Sequence, residues 1–321
     1  MSAGGSRMDR RAFLALGAGM LLASGCQTDD VAADRLPRFE PLKGPKPQLA
    51  LVLGSGGPRG FAHVGVLKVL EEIGVKPDLI LGCSVGAMVG ALYANGVDAA
   101  RLETLAIDLD VRQFFIELRV MRGEAASGEA VQSYVNGQLK GTPLEALRTP
   151  FIAGAARAND RKLALFNHGD TGLAVRASSA SPGQFEAVKI GAETYIDGDE
   201  ASPVPMRAAR ELGAKVVIGV DVSAYLEDTP ARVPEAWRVK DTRRAKQIAD
   251  EATYADLLLH PNIGYYAGHD EAYRRRVMQA AEAYTRQQVP RIREVLAKAG
   301  VKLPDRAQKS TSLAPEALAS R

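Results

Sequence analysis

Residues 48–94 decide the fold. They read Gln48-Leu-Ala-Leu-Val-Leu53, Gly54-Ser-Gly-Gly-Pro-Arg-Gly60, an apolar stretch from Phe61 to Ile73, then Pro77-Asp-Leu-Ile-Leu81, Gly82-Cys-Ser-Val-Gly86 and Ala87–Ala94. The first apolar run is stopped by glycines and predicts a buried strand. Val64, Val66, Leu67, Leu70 and Ile73 recur at helical spacing, and Gly74 is a helix stop. Pro77–Leu81 predicts a second buried strand. Strand, helix and strand in this order imply a right-handed parallel crossover, hence an α/β fold.

The two glycine turns that flank this unit carry the chemistry. Gly82-Cys83-Ser84-Val85-Gly86 is a Gly-x-Ser-x-Gly pentapeptide between a strand and a helix, the context of a nucleophile elbow. Ser84 would sit on a tight turn, and the glycines at 82 and 86 would let strand and helix approach closely. The first turn has three readings. A dinucleotide fingerprint is met at Gly54 and Gly56 but has Arg59 where the third glycine belongs, and a Walker loop lacks its Gly-Lys-Ser/Thr end. The third reading is an oxyanion hole: the N–H groups of Gly56 and Gly57 at a helix start, Pro58 without a donor, and Arg59 holding the loop in shape. Alone the loop is ambiguous; the elbow beside it favours the third reading.

A serine hydroxyl needs a base. His260 and His269 follow Ser84 in the order of a Ser–Asp–His triad, but neither sits in a motif. His63 lies on the first helix, where packing or capping accounts for it, and His168 lies in Asn167-His168-Gly169-Asp170, which reads as a hairpin turn. The better candidate is Asp197 in Tyr195-Ile196-Asp197-Gly198-Asp199, a carboxylate at a strand end, although an Asp-Gly β-turn explains it too. Cys83 reads as a small buried packing residue.

Elsewhere, helices are predicted at Ala99–Asp108, Val111–Leu118 and Gly128–Leu139, forming a cap, and a hairpin joins Phe151–Ala158 to Leu163–Asn167. Residues 171–180 read as a connection. Strands follow at Phe185–Ile190, Lys215–Val222 and Asp256–His260, and helices at Thr242–Ala255 and Asp270–Ala299, the last broken near Pro290. Arg274-Arg275-Arg276 reads as a solvated face.

The chain of 321 residues is 46% hydrophobic with a net charge of +3, of which residues 1–25 contribute +2. The remainder is nearly neutral, which gives no support to nucleic-acid binding. Arg10-Arg11-Ala12-Phe13-Leu14 and the apolar stretch after it describe a secretory signal peptide over 1–25, with a twin-arginine export signal as one route. Ala23-Ser24-Gly25-Cys26 resembles a bacterial lipobox, which would acylate Cys26 and place the protein at the cell envelope, with Gln27 favouring the outer membrane. Residues 26–47 read as a tether and 304–321 as a loose tail. With Cys26 acylated, Cys83 has no disulfide partner. No cofactor motif and no metal-ligand spacing is present.

Gly54–Gly60 with Arg59, Gly82–Gly86 around Ser84, and Asp197-Gly198, in this order and with Ala177–Gly183 and Lys215–Val222 around them, resemble the motifs of patatin-like phospholipases. The resemblance spans residues 48–285, within a domain placed at 48–303. It implies a three-layer α/β/α fold with a mostly parallel sheet and a Ser–Asp dyad without a catalytic histidine. Ser84 and Asp197 would be catalytic, Gly56, Gly57 and Arg59 would form the oxyanion hole, and a lipid acyl ester would be the substrate. Two positions depart from the family pattern. Ser55 interrupts the glycine run, and Asp199 stands where the family has Gly or Ala. A second carboxylate could raise the pKa of Asp197 or crowd the substrate, so the alternative is a patatin-shaped scaffold that binds lipid or a partner protein without turnover.

Overall fold

The structure, a computed structural model, describes residues 31–114 and 123–303. The expected signal peptide, the acylated Cys26, the tail 304–321 and the second half of the helix expected at Val111–Leu118 lie outside the described residues. All elements below belong to the unit that begins at Ala33.

Strands β1 (Leu49–Leu53), β2 (Leu79–Cys83), β3 (Phe151–Arg157), β7 (Val216–Val220) and β8 (Leu257–Leu259) form the parallel part of an eight-stranded sheet, in the order β3-β2-β1-β7-β8. Strands β4 (Leu163–Phe166), β5 (Val188–Ile190) and β6 (Glu193–Asp197) add antiparallel pairings at the β3 side. Every residue of β1, β2 and β7 is buried, as continuous apolar runs covered on both faces require.

Alternation along the strands sorts the two faces. Ala50, Val52, Leu79, Leu81, Ile152 and Val217 meet α6 (Met206–Glu211) and Ile248 of α7 (Glu235–Ala252). On the opposite face Leu53, Ile80 and Phe151 approach Gly90 of α2 (Val85–Ala94). There α1 (Ala62–Glu72) packs along α8 (Glu271–Lys298), and α2 touches α5 (Thr171–Ser178). The sheet therefore has helices on both faces, the three-layer α/β/α arrangement.

The structure departs from the sequence reading in six places. The expected cap helices join the helical layers: α3 (Ala99–Asp108) lies against α1 and α8, and α4 (Glu129–Leu139) against α5. Residues 171–180 are not a plain connection but contain the fully buried helix α5, capped by Asp170, whose side chain accepts from Leu173 N–H; Asn167–Asp170 is thus a strand-to-helix turn. Helix α7 begins at Glu235, directly after Pro234, earlier than the expected Thr242. Helix α8 runs unbroken through Pro290, with Ile292 and Leu296 buried beyond it. Arg274 is buried and donates to the carbonyl of Ala106, so the arginine run is not wholly solvated. From Ala33 on, the expected tether lies on the domain: Arg38 N–H donates to His168 O at 3.1 Å, and Glu40 N–H to Asn167 Oδ1 at 2.8 Å.

Candidate active site

The site lies where two strands end on the same edge of β3. Gly154 pairs with Cys83 of β2 and with Leu165 of β4, so β2 and β4 flank opposite edges. Ala155 pairs with Ala164 of β4 and with Asp197 of β6, so β6 shares the edge used by β2. Cys83 and Asp197 therefore stand opposite consecutive residues of one strand. The residue after Cys83 is Ser84, whose hydroxyl donates to Asp197 Oδ2 at 2.8 Å. Residues 113 apart in sequence meet because β3 serves both.

Ser84 adopts φ 54°, ψ −124° between β2 and α2. A non-glycine residue there is strained and persists only when its surroundings hold it. The surroundings are visible. A Cβ on Gly86 would stand 2.1 Å from Leu53 O, and one on Gly82 would stand 2.5 Å from the Ala87 Cα, so strand and helix touch where only hydrogen fits. The Ser84 N–H donates to Ser178 Oγ at 2.8 Å, and that hydroxyl donates onward to Gly154 O at 2.6 Å. Ser178, on α5, thus locks the elbow to β3; the sequence reading quoted its segment without giving it a role.

The glycine loop lies against this elbow. A Cβ on Gly60 would collide with Val85, and the Gly86 Cβ position is 2.6 Å from Gly54 O. A short helix begins at Gly57, with Gly56 before it. Among the described residues, the N–H groups of Gly56 and Gly57 take no hydrogen-bond partner, while the N–H groups of Gly54 and Ser55 are bonded to Val220 O and Pro203 O. Two donors are thus free in the loop that packs against the Ser84 elbow, where α2 also presents its N-terminus. Arg59 donates from Nη2 to the Tyr265 carbonyl and lies 5.9 Å from the Tyr265 ring centroid, which braces the loop against residues near 265.

Asp197 is buried, and its pKa is raised to about 7. Burial is the largest cause and the neighbouring Asp199 the next; the Asp199 N–H, the Ser84 hydroxyl and Arg244 oppose them. Asp199 does not face Ser84. Its Oδ1 accepts from Ser55 Oγ at 2.5 Å and pairs with Arg244 Nη1 at 2.8 Å. Arg244 also donates from Nη2 to Ser55 O at 2.6 Å. Both departures from the expected pattern therefore touch each other directly, and an arginine on α7 that the sequence reading did not single out bonds both.

The four histidines are placed elsewhere. His63 Nε2 bonds Gly54 O at 2.8 Å, His260 Nε2 bonds Ser223 O at 3.0 Å, His168 Nδ1 bonds Asn167 Oδ1 at 2.8 Å, and His269 is exposed. Cys83 is buried, and burial first, then Asp197 and Asp199, push its thiol well up, so it is a poor thiolate donor.

A family profile described as patatin-like phospholipase matches residues 51–210. Patatin-like phospholipase domain-containing protein 6 of Mus musculus is 31% identical over 186 residues, covering 56% of this chain and 14% of that protein. Lysophospholipase NTE1 of Coccidioides immitis (strain RS) is 29% identical over 187 residues, covering 57% of this chain and 12% of that protein. An uncharacterized NTE family protein of Mycobacterium bovis is 30% identical over 222 residues, 66% of this chain and 60% of its own length. The chain thus spans about one seventh of the mouse relative's length. Among solved structures, VipD from Legionella pneumophila superposes with a TM-score of 0.52 at 12% identity, covering 80% of this chain and 70% of that one.

Proposed function

Because the chain belongs, through residues 51–210, to the patatin-like phospholipase family, we propose that it is a serine acyl hydrolase that cleaves fatty acyl esters of phospholipids or lysophospholipids through Ser84 and Asp197. The observation that carries this reading is the 2.8 Å hydrogen bond from Ser84 Oγ to Asp197 Oδ2 at a strained elbow. Ser84 Oγ attacks the ester carbonyl carbon and its proton passes to Asp197 Oδ2. The carbonyl oxygen becomes an oxyanion beside the Gly56 and Gly57 N–H groups, each donor contributing roughly 3 kcal/mol to such a state. Collapse breaks the bond to the alcohol oxygen, which leaves with the proton from Asp197. Water then attacks the acyl-serine, gives its proton to Asp197, and releases the fatty acid as Ser84 recovers its hydrogen. A carboxyl group titrating near neutrality suits a base that takes and returns a proton.

The reading in which the fold only binds lipid was motivated by Asp199. That carboxylate is occupied by Ser55 and Arg244, which supports turnover instead. Labelling by a fluorophosphonate, with release of fatty acid from lysophosphatidylcholine and phosphatidylethanolamine vesicles, tests the proposal. Wild type should label and hydrolyse, and Ser84→Ala should do neither. A folded wild type that neither labels nor hydrolyses sinks the enzyme reading. We further propose that Cys26 carries lipid and anchors the protein at the envelope; Cys26→Ser should move it from the membrane to the soluble fraction, and membrane retention counts against the anchor.

A further inference from the structure

We propose that Ser55, Asp199 and Arg244 form a buried positioning network that fastens the glycine loop to the Asp197 turn, so that Asp199 and Arg244 act on Ser84 through Asp197. The inference rests on the Ser84–Asp197 reading above and extends it to residues outside the motifs.

The network bridges three parts of the chain. Ser55 is held in the glycine loop by its N–H on Pro203 O at 2.9 Å, and its hydroxyl donates to Asp199 Oδ1 at 2.5 Å. Asp199 sits two residues beyond Asp197, and its N–H donates to Asp197 Oδ1 at 2.9 Å. Arg244 grips both ends, with Nη1 on Asp199 Oδ1 and Nη2 on the carbonyl and hydroxyl oxygens of Ser55 at 2.6 and 3.0 Å. Side chains of Asp199 and Arg244 retain only 11% and 14% of their exposure, so the pair is shielded from solvent. The planar guanidinium fork is what lets one cation hold a carboxylate and a backbone carbonyl together.

The consequence for Asp197 follows from geometry. Of its two oxygens, Oδ2 receives the Ser84 hydroxyl and Oδ1 receives the Asp199 N–H, so the Asp199 backbone fixes which oxygen faces Ser84. The same Asp199 side chain fixes where its own backbone lies, because it is tied to the loop that carries Gly56 and Gly57. Oxyanion donors and base are thereby referenced to one buried knot. Titratable groups face Asp197 from several sides: the Asp199 carboxylate beside it, the Arg244 guanidinium from α7 and the neutral Cys83 thiol from β2, with Asp221 after β7 acting on Arg244. Asp199 raises the Asp197 pKa and Arg244 lowers it.

The test compares Asp199→Asn, Arg244→Gln and Arg244→Lys with wild type and Ser84→Ala, reading kcat and KM for a soluble p-nitrophenyl ester across pH. Removing Asp199's charge should move the acidic limb of kcat/KM down, and removing Arg244's charge should move it up, each by about half a unit or more. Arg244→Lys keeps the charge and loses the fork; it should keep the limb in place and lower kcat about ten-fold with KM nearly unchanged. Merely structural damage would not shift the limb in opposite directions. Should Arg244→Gln fail to fold, Asp199→Asn and Arg244→Lys still carry the test, since the first should move the limb down and the second should lower kcat at an unmoved limb. Limbs that stay in place, or move together, while Ser84→Ala is inactive, overturn the network alone. Full activity in Ser84→Ala overturns the nucleophile reading and the network with it.

Discussion

The Nε2–H of His63 donates to the carbonyl of Gly54 at 2.8 Å, tying the first helix to the start of the glycine loop. Because a carbonyl only accepts, this bond fixes the tautomer with the proton on Nε2. His63 is fully buried and its Nδ1 meets no partner among the described residues, so a second proton on the ring would be a buried, unpaired charge. Burial accordingly pulls its pKa down to about 4, against the opposing Gly54 bond. A base that stays neutral to that point, and is bonded away from Ser84, is a structural histidine.

Stability should therefore carry a His63 contribution that is present above pH 6.5 and lost as pH falls towards 4, where the unfolded chain binds the proton more readily. Urea unfolding of wild type and His63→Gln across this range checks it. The difference in unfolding free energy between them should narrow as pH falls, and a constant difference would contradict the assignment.

Asp197 predicts the reverse sign. Its folded pKa near 7 lies above the ordinary 3.8, so the folded state holds the proton more tightly. The stabilisation is complete below pH 3.8 and disappears as pH rises through 7. Asp197→Asn should abolish ester hydrolysis, yet unfold at higher temperature than wild type at pH 8, with the gap closing towards pH 4. About 2–4 °C is expected for each kcal/mol relieved in a chain of this size. Full activity in Asp197→Asn would return a histidine to consideration as the base.

Two glycine substitutions should separate fold from chemistry. A methyl group at Gly86 would press on the Leu53 carbonyl at 2.1 Å, so Gly86→Ala should yield little folded protein. At Gly57 no atom of the described residues beyond its chain neighbours lies within 4 Å of the added Cβ, but φ is +54°. Gly57→Ala should cost about 1 kcal/mol of stability and reduce kcat more than it changes KM. Thermal unfolding and steady-state kinetics on both variants check the contrast.

Ser178→Ala removes one acceptor and one donor at once, leaving the Ser84 N–H and the Gly154 carbonyl without partners in a buried place. A destabilisation of about 1–3 kcal/mol is expected, with kcat falling at least about ten-fold because the elbow is no longer pinned. Urea midpoints and kcat measured together test it; an unchanged kcat would remove Ser178 from the positioning of Ser84.

What the sequence made legible follows physical lines. Strands β1, β2 and β7 are continuous apolar runs bounded by glycine or polar residues, and their burial on both faces makes that pattern unambiguous. The elbow announces itself through glycines at 82 and 86. Helix α5 escaped because all eight residues are buried, so Thr171, Arg176 and Ser178 mark no solvent-facing stripe, and Asp170 read as a turn residue when it is an N-cap. The first half of α7 escaped for the opposite reason. Trp237 and Val239 are exposed, so no apolar stripe marks the helix start, although Pro234 before it was a usable signal. Arg244 was out of reach: its partners are Ser55, 189 residues away, and Asp199 on another part of the chain, and no local pattern encodes such a contact. The only hint was that two departures from one pattern occur in the same chain.

The abutment of β2 and β6 on one edge of β3 has a mechanical side. The two strands are not hydrogen-bonded to each other; each clings separately to β3, and between them the sheet has a seam. The outer arm of that seam is the hairpin β5–β6, with three and five residues in its strands. Lifting this hairpin from β3 would leave the parallel strands closed but would have to undo the Ser55–Asp199–Arg244 knot at its Asp197 end. Lifting would carry Asp197 away from Ser84 and split the proposed dyad without melting the core. Catalytic competence would then be a property of one latch rather than of global stability, and amide exchange at Ile196 and Asp197 would report the open fraction directly.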